Sequence, residues 1–286
     1  LHELHHLKPD GILTIVLPHG VLFRGDTEEN SEGEGKIRRN LIEKNNLDAI
    51  IGLPANIFFG TGIPTLILVL KQHRDNDDVL IIDASKGFVK DGKNNKLRAC
   101  DIKRIADTIR DRKDIKGYSR KVSRNEIREN GYNLNIPRYV DSSETPIQYD
   151  IYATMFGGIP ENEIDYLQEY WDAFPSLRAD LFASSEDGKP YASVKSADVA
   201  QTINKNIDVV ELKKSFTDAF AGFSDKLHDT LVSNVLQVRE LVAQDEIAND
   251  IFSRLEAIPL IDNYPAYQAL SDNWQQIVGD IEIIQT

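Results

Sequence analysis

Three histidines at the start of the chain and one cysteine are the side chains best suited to metal binding or nucleophilic chemistry. His2, His5 and His6 would share one face of a helix, an arrangement that zinc accepts. Glu3 is the only carboxylate close to them in sequence, so an exposed helix end is the preferred interpretation and we predict no metal site. Cys100 is the only cysteine, which excludes an internal disulfide and a zinc site built from several cysteines. We interpret it as a packing or surface residue in a protein of the reducing cytoplasm.

Basic side chains that can contact phosphate fall into two groups. The first group flanks an acidic loop at residues 25–35 and comprises Arg24, Lys36, Arg38 and Arg39. A solvated helix surface is the alternative interpretation of that group. A denser group, here called the basic run, lies at residues 104–124 and is diluted by three aspartates. The basic run contains Arg104, Arg110, Arg112, Lys113, Lys116, Arg120, Lys121 and Arg124.

Length and charge limit the classes of protein to which the chain can belong. Its 286 residues suffice for about two domains. The 33 basic and 46 acidic side chains give a formal net charge of −13, which is unfavourable for a stand-alone nucleic-acid binder. No apolar run reaches the roughly 18 residues that a membrane helix needs, so we expect no membrane partner. The chain starts at Leu1 and its only methionine is Met155, so we expect it to be a piece of a longer protein.

The first half of the chain predicts an α/β arrangement. Near-continuous apolar runs predict strands buried on both faces, as in a parallel sheet, at residues 12–17, 47–53, 65–70 and 78–83. Amphipathic spacing predicts helices at residues 36–46 and 101–112. No helix separates the second predicted strand from the third, so we expect one antiparallel return. A polar stretch at residues 88–96 is predicted to be a loop.

The second half of the chain has a different spacing of apolar residues. Residues 142–146 are typical of a linker, and beyond them helical spacing of apolar residues replaces strand-like runs. The longest apolar stripe runs from Leu212 to Val242, and the last helix is predicted to carry Pro265 in its first turn. We therefore predict an α/β part at residues 1–141 and an all-α part at residues 142–286.

The most specific pattern extends from Gly11 to Leu70. It begins with Gly-Ile-Leu-Thr-Ile-Val-Leu-Pro-His-Gly, continues through a helix with Arg38 and Arg39, and ends with Ala-Ile-Ile-Gly-Leu-Pro-Ala-Asn-Ile-Phe-Phe-Gly-Thr-Gly-Ile-Pro-Thr-Leu-Ile-Leu-Val-Leu. Taken whole, this segment strongly resembles the modification (M) subunit of type I restriction–modification systems, an adenine-N6 DNA methyltransferase. The resemblance continues through residues 79–85 and 132–140, and the helical remainder is similar to the C-terminal extension of those subunits.

The resemblance implies a fold and a cofactor. The fold is a Rossmann-like sheet of seven strands with a reversed last hairpin, of which this chain would hold the C-terminal half, followed by an all-α domain. The cofactor is S-adenosyl-L-methionine, bound by a Gly-rich loop after the first strand, with catalysis at an Asn-Pro-Pro-aromatic motif. The sequence contains neither motif, and Gly60-Thr61-Gly62 leads into a strand rather than a helix. We expect both motifs upstream of Leu1, no catalytic residue or bound cofactor in this chain, and no activity from it alone.

The resemblance also implies a site and partners. Phe58 and Phe59 match the family position that packs against the flipped target base, and aromatic faces are suited to stacking on a base. The alternative is that one or both rings fill the core beneath a hairpin. The implied partners are double-stranded DNA, the specificity (S) subunit against the C-terminal helices, and the restriction (R) subunit through the assembled complex. The residues predicted to contact the DNA backbone are Arg24, Arg38, Arg39, Arg120 and Arg124.

Two functional hypotheses remain open. In the first, the chain is the C-terminal fragment of the adenine-N6 methyltransferase subunit of a type I system. In the second, it is a non-catalytic helical module that docks on a partner protein such as the S subunit. A DNA-binding piece acting through the basic run is a third option, and its binding would weaken with salt.

Overall fold

The structure is a computed structural model that describes residues 2–28, 33–142, 149–184 and 189–286. Residues 29–32 of the predicted acidic loop and residues 143–146 of the predicted linker lie outside the described part. The chain divides into two compact units, Leu1–Thr145 and Pro146–Thr286. The fold class is confirmed, because an α/β unit precedes a mainly helical one.

The first unit alternates strands and helices. Its strands are β1 (Ile12–Pro18), β2 (Leu47–Gly52), β3 (Thr65–Lys71), β4 (Val79–Asp83), β5 (Val89–Asp91), β6 (Asn94–Lys96) and β7 (Ser119–Val122). Its helices are α1 (His2–His6), α2 (Glu34–Glu43), α3 (Ala99–Asp111) and α4 (Arg124–Glu129), with 3-10 turns at His19–Leu22 and Ile136–Arg138. The four long strands and both amphipathic helices lie where the apolar patterns predict them.

Five of these strands form one mixed sheet in the order β1-β3-β2-β4-β7. Strand β3 runs antiparallel to both β1 and β2, which confirms the predicted antiparallel return, whereas β2 and β4 are parallel. Strands β1, β2 and β4 therefore point the same way, and their carboxyl ends meet on one side of the sheet. We call this side the carboxyl edge; it is formed by residues 18–20, 53–59 and 83–86.

The sheet is covered on both faces. Alternate residues of β2 point to opposite faces, so Ile50 joins one apolar cluster with Leu41 of α2, and Ile51 joins a second cluster with Ile105 of α3. All six residues of β2 are buried, as its apolar run predicts.

Strand β1 does not fit the prediction that it is buried on both faces. Ile12 is 60% exposed and Val16 is 49% exposed. The physical reason is its place in the sheet, since β1 lies at an edge and β3 is its one neighbour among the described strands. The 88–96 stretch also differs from its prediction, because it forms the β5–β6 hairpin with Gly92 in a left-handed conformation at φ 60°.

The second unit contains more than helices. Its helices are α5 (Ile151–Phe156), α6 (Glu161–Asp165), α7 (Gln168–Ala173), α8 (Leu177–Leu181), α9 (Val199–Lys205), α10 (Ile207–Ala219), α11 (Phe223–Leu231), α12 (Glu240–Leu255) and α13 (Asn263–Gln285). Three short strands, β8 (Ile159–Pro160), β9 (Phe182–Ser184) and β10 (Tyr191–Val194), form an antiparallel sheet that the sequence did not predict. Strands of two to four residues are too short to give an alternating pattern.

The long apolar stripe of the second unit is divided among three helices. Helix α10 ends before Gly222, whose φ of 70° does not continue a helix, and α11 begins directly after it. Six stripe residues pack on the cluster that surrounds Ile247 and Trp274, namely Leu212, Phe220, Phe223, Leu227, Leu231 and Val238. Pro265 lies in the first turn of α13, as predicted. None of the helices in the described part is long and apolar enough to cross a membrane.

Candidate functional site

The connection between β2 and β3, here called the aromatic loop (residues 53–64), lies at the carboxyl edge. Phe58 is 42% exposed and Phe59 is 95% exposed. Ile57, the preceding residue, packs against the apolar cluster that contains Ile51 and Leu80. Ile57 therefore fills the position beneath the loop, and both phenyl rings face solvent.

Backbone contacts hold the aromatic loop closed at its base. The Leu53 N–H donates to the Thr65 carbonyl oxygen at 2.9 Å, which joins the two ends of the loop. The same oxygen lies 3.0 Å from Nε2 of His19, which follows β1. Because a carbonyl oxygen only accepts hydrogen bonds, Nε2 is the protonated nitrogen of His19. The base of the loop is thus tied to the segment that follows β1, the strand next to β3.

Asn56 shapes the inside of the loop. Its backbone is left-handed at φ 55°, a conformation that asparagine tolerates better than most residues. Its side chain lies against Gly62, where an added Cβ would approach Asn56 Oδ1 to 3.1 Å. A larger residue at position 62, four residues after Phe58, would therefore press on the Asn56 side chain.

The β5–β6 hairpin supports the aromatic loop from outside. The Asn95 backbone N–H donates to the Asn56 carbonyl oxygen at 2.8 Å, and Asn95 Nδ2 donates to the Ala55 carbonyl oxygen at 2.6 Å. Asn95 is only 6% exposed. The sequence analysis missed this residue, although the strands of the hairpin are joined by Gly92-Lys93, and a glycine at the first position of a two-residue connection is a recognised turn signal.

The end of β4 completes the carboxyl edge. Asp83 Oδ2 accepts a hydrogen bond from Ser142 Oγ at 2.5 Å, and Asp83 Oδ1 accepts one from the Ser85 N–H at 3.0 Å. Lys86 Nζ donates to the Ser142 carbonyl oxygen. These bonds occupy both oxygens of Asp83, which gives this carboxylate a structural role.

Residues 132–140, the last part of the resemblance in this unit, return to the same edge. The Leu134 N–H donates to the Leu22 carbonyl oxygen at 2.9 Å, beyond the end of β1. Ile136 lies so close to Gly52 that a Cβ there would approach Ile136 Cδ1 to 2.6 Å. Sequence segments far apart in the chain therefore meet around the base of the aromatic loop.

Arg38 is placed differently from the prediction that it contacts phosphate. Its side chain is buried and donates to the backbone carbonyl oxygens of Tyr132 at 2.7 Å, Val21 at 2.9 Å and Arg24 at 2.9 Å. Burial lowers the pKa of Arg38, with partial compensation by Glu34. The guanidinium joins residue 132 to the segment after β1, so it is not available to a phosphate.

The remaining four predicted arginines differ in their availability. Arg24 is exposed, whereas Arg39 is half-buried and donates to the Thr27 carbonyl oxygen at 3.1 Å. Arg120 forms two hydrogen bonds of 2.9 Å to the carboxylate of Glu126. Arg124 is half-buried at the start of α4. The structure does not bring these four side chains together with the phenyl rings through any contact among the described residues.

Most of the basic run is paired with acidic side chains. The pairs are Arg110 with Asp111, Arg112 with Asp48, Lys113 with Asp111, Arg120 with Glu126, and Lys121 with Asp114. Opposite charges at these distances cancel much of the positive field that the run would otherwise present to phosphate. The density of basic residues in the sequence therefore overstates the positive charge of this surface.

An ion cluster centred on Asp48 lies at the opposite end of β2. The buried Asp48 carboxylate is 2.7 Å from Lys71 Nζ, 2.9 Å from Arg74 Nε and 2.9 Å from Arg112 Nη1. Burial opposes ionisation of Asp48, but the three cations outweigh it and lower the pKa of Asp48. We call these four residues the Asp48 cluster and assign it a structural role.

The residues first considered for metal or nucleophilic chemistry are the three histidines of α1 and Cys100. The three histidines of α1 are exposed, and no group of three His, Cys, Asp or Glu in the described ranges is placed to hold a metal ion. Cys100 is buried in α3, and burial raises the pKa of its thiol. A nucleophilic cysteine needs a lowered pKa, so Cys100 is a packing residue.

The residues at the carboxyl edge do not fit a binding loop for S-adenosyl-L-methionine. Gly60 and Gly62 connect a strand to a strand, so no helix N-terminus points at them. A Gly-rich nucleotide loop normally leads from a strand directly into a helix. We derive no reaction step through that cofactor.

Comparison with known proteins identifies a family for the first unit. Residues 1–146 match the family model described as N-6 DNA methylase. The methylase subunit of the type I restriction enzyme MpnII of Mycoplasma pneumoniae is 38% identical over 152 residues, covering 53% of this chain and 27% of that protein. The methylase subunit of MjaVII of Methanocaldococcus jannaschii is 34% identical over 163 residues, covering 54% and 27%.

A solved structure is also similar to part of the chain. The type I restriction–modification system methyltransferase subunit from Streptococcus thermophilus is 50% identical, with a TM-score of 0.46, over 49% of this chain and 28% of that one. The chain thus spans less than a third of the length of these relatives. Since the family model matches more than half of its residues, the chain belongs to the N-6 DNA methylase family.

Proposed function

We propose that this chain supplies the target-base side of a DNA adenine-N6 methyltransferase, within the modification subunit of a type I restriction–modification system. The observation that carries the proposal is the exposed Phe58–Phe59 pair on a loop tied to the strand ends. A base taken out of a duplex needs an apolar face to replace the stacking that it loses. Two exposed phenyl rings at consecutive positions offer apolar surface for such a base.

The chain's own residues would bind and orient the base. Phe58 and Phe59 would stack on the adenine, while Asn56 and Asn95 hold the loop backbone in place. Stacking on an aromatic side chain is worth about 1–3 kcal/mol per base. S-adenosyl-L-methionine supplies the methyl group in the complete enzyme. Because this chain spans 27% of its relatives, we assign cofactor binding and methyl transfer to the complete enzyme.

The helical unit would dock on the partner subunits. Helices α10, α12 and α13 each leave large apolar side chains exposed, including Ile207, Leu241 and Ile283. Such side chains are typical of surfaces that a partner covers. The proposed partner is the S subunit, which reads the DNA sequence, and the R subunit joins the assembled complex in the cytoplasm.

The proposal is tested on the complete reading frame that contains this chain, expressed with the neighbouring S subunit. We expect N6-methyladenine in cellular DNA, measured by mass spectrometry of nucleosides, and at least a tenfold loss in the Phe58→Ala/Phe59→Ala variant, about 1.4 kcal/mol or more. Tyr166→Ala, which removes an exposed aromatic ring from the other unit, is the matched control. A complex that assembles and never methylates adenine would contradict the proposal.

The exposed apolar side chains also favour a second candidate, a docking module without chemistry. In that case the 286-residue chain alone would form a stable complex with the S subunit, and Leu241→Glu would weaken it. Size-exclusion chromatography of the two purified proteins separates the outcomes. Complex formation with no methylation by the complete protein would favour the docking module over the methyltransferase.

A further inference from the structure

The β5–β6 hairpin and its flanks, here called the basic hairpin (residues 86–98), carry five basic residues and one acid. Lys90, Lys93 and Lys96 are exposed, and the acid is Asp91. Among the described residues, no acidic side chain lies within ion-pair distance of these three lysines. Lys90 Nζ lies 5.6 Å from the centre of the Phe88 ring.

The basic hairpin therefore differs from the basic run. In the basic run Lys113 and Lys121 lie against Asp111 and Asp114, so their charges are compensated. The three hairpin lysines project their charge into solvent. A phosphate group attracts uncompensated ammonium groups and releases counterions on binding them. In a chain with net charge −13, these three exposed lysines form a local concentration of positive charge that suits a polyanion.

The position of the hairpin adds a second, independent observation. Asn95 lies between Lys93 and Lys96 and is hydrogen-bonded to both Ala55 and Asn56 of the aromatic loop. Asn56 precedes Phe58 by two residues. Asn95 is also buried, with an Oδ1 that accepts no hydrogen bond from the described residues. The lysines are thus carried on an element that is fixed directly to the loop of the proposed base site.

We propose that the basic hairpin is a DNA-backbone contact, in which Lys90, Lys93 and Lys96 bind the phosphates that flank the extruded adenine. The proposal rests on the proposed function, because it takes the aromatic loop as the base site. Phosphate contacts fix the register of a protein on the duplex without reading its sequence. The hairpin lysines therefore position the backbone while Asn95 keeps that position in register with the phenyl rings.

The test measures binding of the 286-residue chain to a fluorescent DNA duplex by anisotropy between 50 and 300 mM NaCl. The variant is K90Q/K93Q/K96Q, and the control K113Q/K121Q/K226Q removes three lysines that are paired with acids. Each lost phosphate contact lowers the slope of log K against log[NaCl] by about 0.9. We expect the hairpin variant to lose about two to three from that slope, and the control to lose less than one.

The outcomes separate this inference from the proposed function. A hairpin variant with the unaltered slope, or a control that loses as much as the hairpin variant, would overturn the hairpin contact and leave the methyltransferase proposal standing. An unaltered chain that shows no salt-dependent binding would also overturn it, because the lysines are present and free. If the hairpin variant shows the reduced slope but the complete protein never methylates adenine, the proposed function is wrong and the hairpin contact stands. Circular dichroism of all variants verifies that they fold alike.

Discussion

The two ends of strand β2 use charged and aromatic residues in opposite ways. At its amino end, Asp48 is buried and surrounded by Lys71, Arg74 and Arg112. At its carboxyl end, Phe58 and the hairpin lysines are exposed and make few contacts with their own chain. The charged groups at the amino end pair with one another inside the protein. The apolar and basic groups at the carboxyl end face solvent, where another molecule can bind them.

The residues that stabilise the fold and the residues proposed to bind DNA therefore lie at opposite ends of β2. Groups that are satisfied inside the protein contribute to folding, and removing one leaves its partners unpaired. Groups that face solvent contribute little to folding and are available for binding. Substitutions at the amino end are therefore expected to change stability, and substitutions at the carboxyl end to change binding.

The largest effect is expected for Asp48→Asn in the Asp48 cluster. The substitution removes the buried carboxylate that contacts all three cations, and Asp78 remains as an acidic partner of the two arginines. Because breaking a buried ion pair leaves charge without full compensation, the unfolding free energy is expected to fall by about 3–5 kcal/mol. The measurement is urea unfolding followed by circular dichroism. Asp165→Asn, which breaks an exposed pair with Arg178, is the control and is expected to cost less than about 1 kcal/mol. Equal effects at the two positions would remove the contrast between the two ends of β2.

The Asp48 cluster also predicts a pH dependence. The pKa of Asp48 is lowered from its ordinary value of 3.8, so its contribution to stability is complete above that pH and is lost as pH falls through the folded value. The stability difference between the unaltered chain and Asp48→Asn should shrink below pH 3.8, by at most about 1.4 kcal/mol per pH unit. Urea unfolding at pH 7 and at steps below pH 4 measures it. A difference that grows on acidification would contradict the ion-pair account.

A smaller effect is expected at Asn95, where the basic hairpin meets the aromatic loop. Asn95→Ala removes the hydrogen bond to the Ala55 carbonyl oxygen and should cost about 1 kcal/mol, confined to the loop. Hydrogen exchange followed by mass spectrometry should show faster exchange of amides 55–60 and unchanged exchange in β2 and β4. Asn94→Ala, one residue earlier on the hairpin, is the control. Unchanged loop exchange in Asn95→Ala would mean that the Asn95 side chain does not hold the loop, since the backbone bond from Asn95 to Asn56 remains in the variant.

The sequence predicts the buried centre of the sheet well and its margins less well. Strands β2 and β4 are runs of apolar residues because both of their faces are covered, and such runs are visible without a structure. Strand β1 has the same kind of run but lies at an edge, and strand order is a tertiary property. The β5–β6 hairpin was missed because its strands are three residues long and polar.

The residues of the candidate site also differ in how well the sequence predicted their exposure. The aromatic pair was predicted from its motif, and the structure leaves its role as a proposal while fixing the exposure of both rings. Arg38 was predicted to contact phosphate, and the structure instead buries it against backbone carbonyl oxygens, which the sequence does not reveal because a buried arginine and a surface arginine look alike there. The basic run presents less positive charge than its sequence suggests, because Asp48 and Glu126, which lie outside the run, form ion pairs with its members in the fold.

The central claim is that Phe58 and Phe59 hold an extruded adenine, and the most direct test is the preference of the chain for such a base. The measurement compares the Kd for a duplex in which one adenine faces an abasic site with the Kd for the fully paired duplex, using fluorescence anisotropy. Stacking worth about 1–3 kcal/mol predicts that the unaltered chain prefers the unpaired adenine by about 5- to 150-fold. Phe58→Ala/Phe59→Ala should abolish this preference while retaining the stability of the unaltered chain. A variant that keeps the preference would contradict the account.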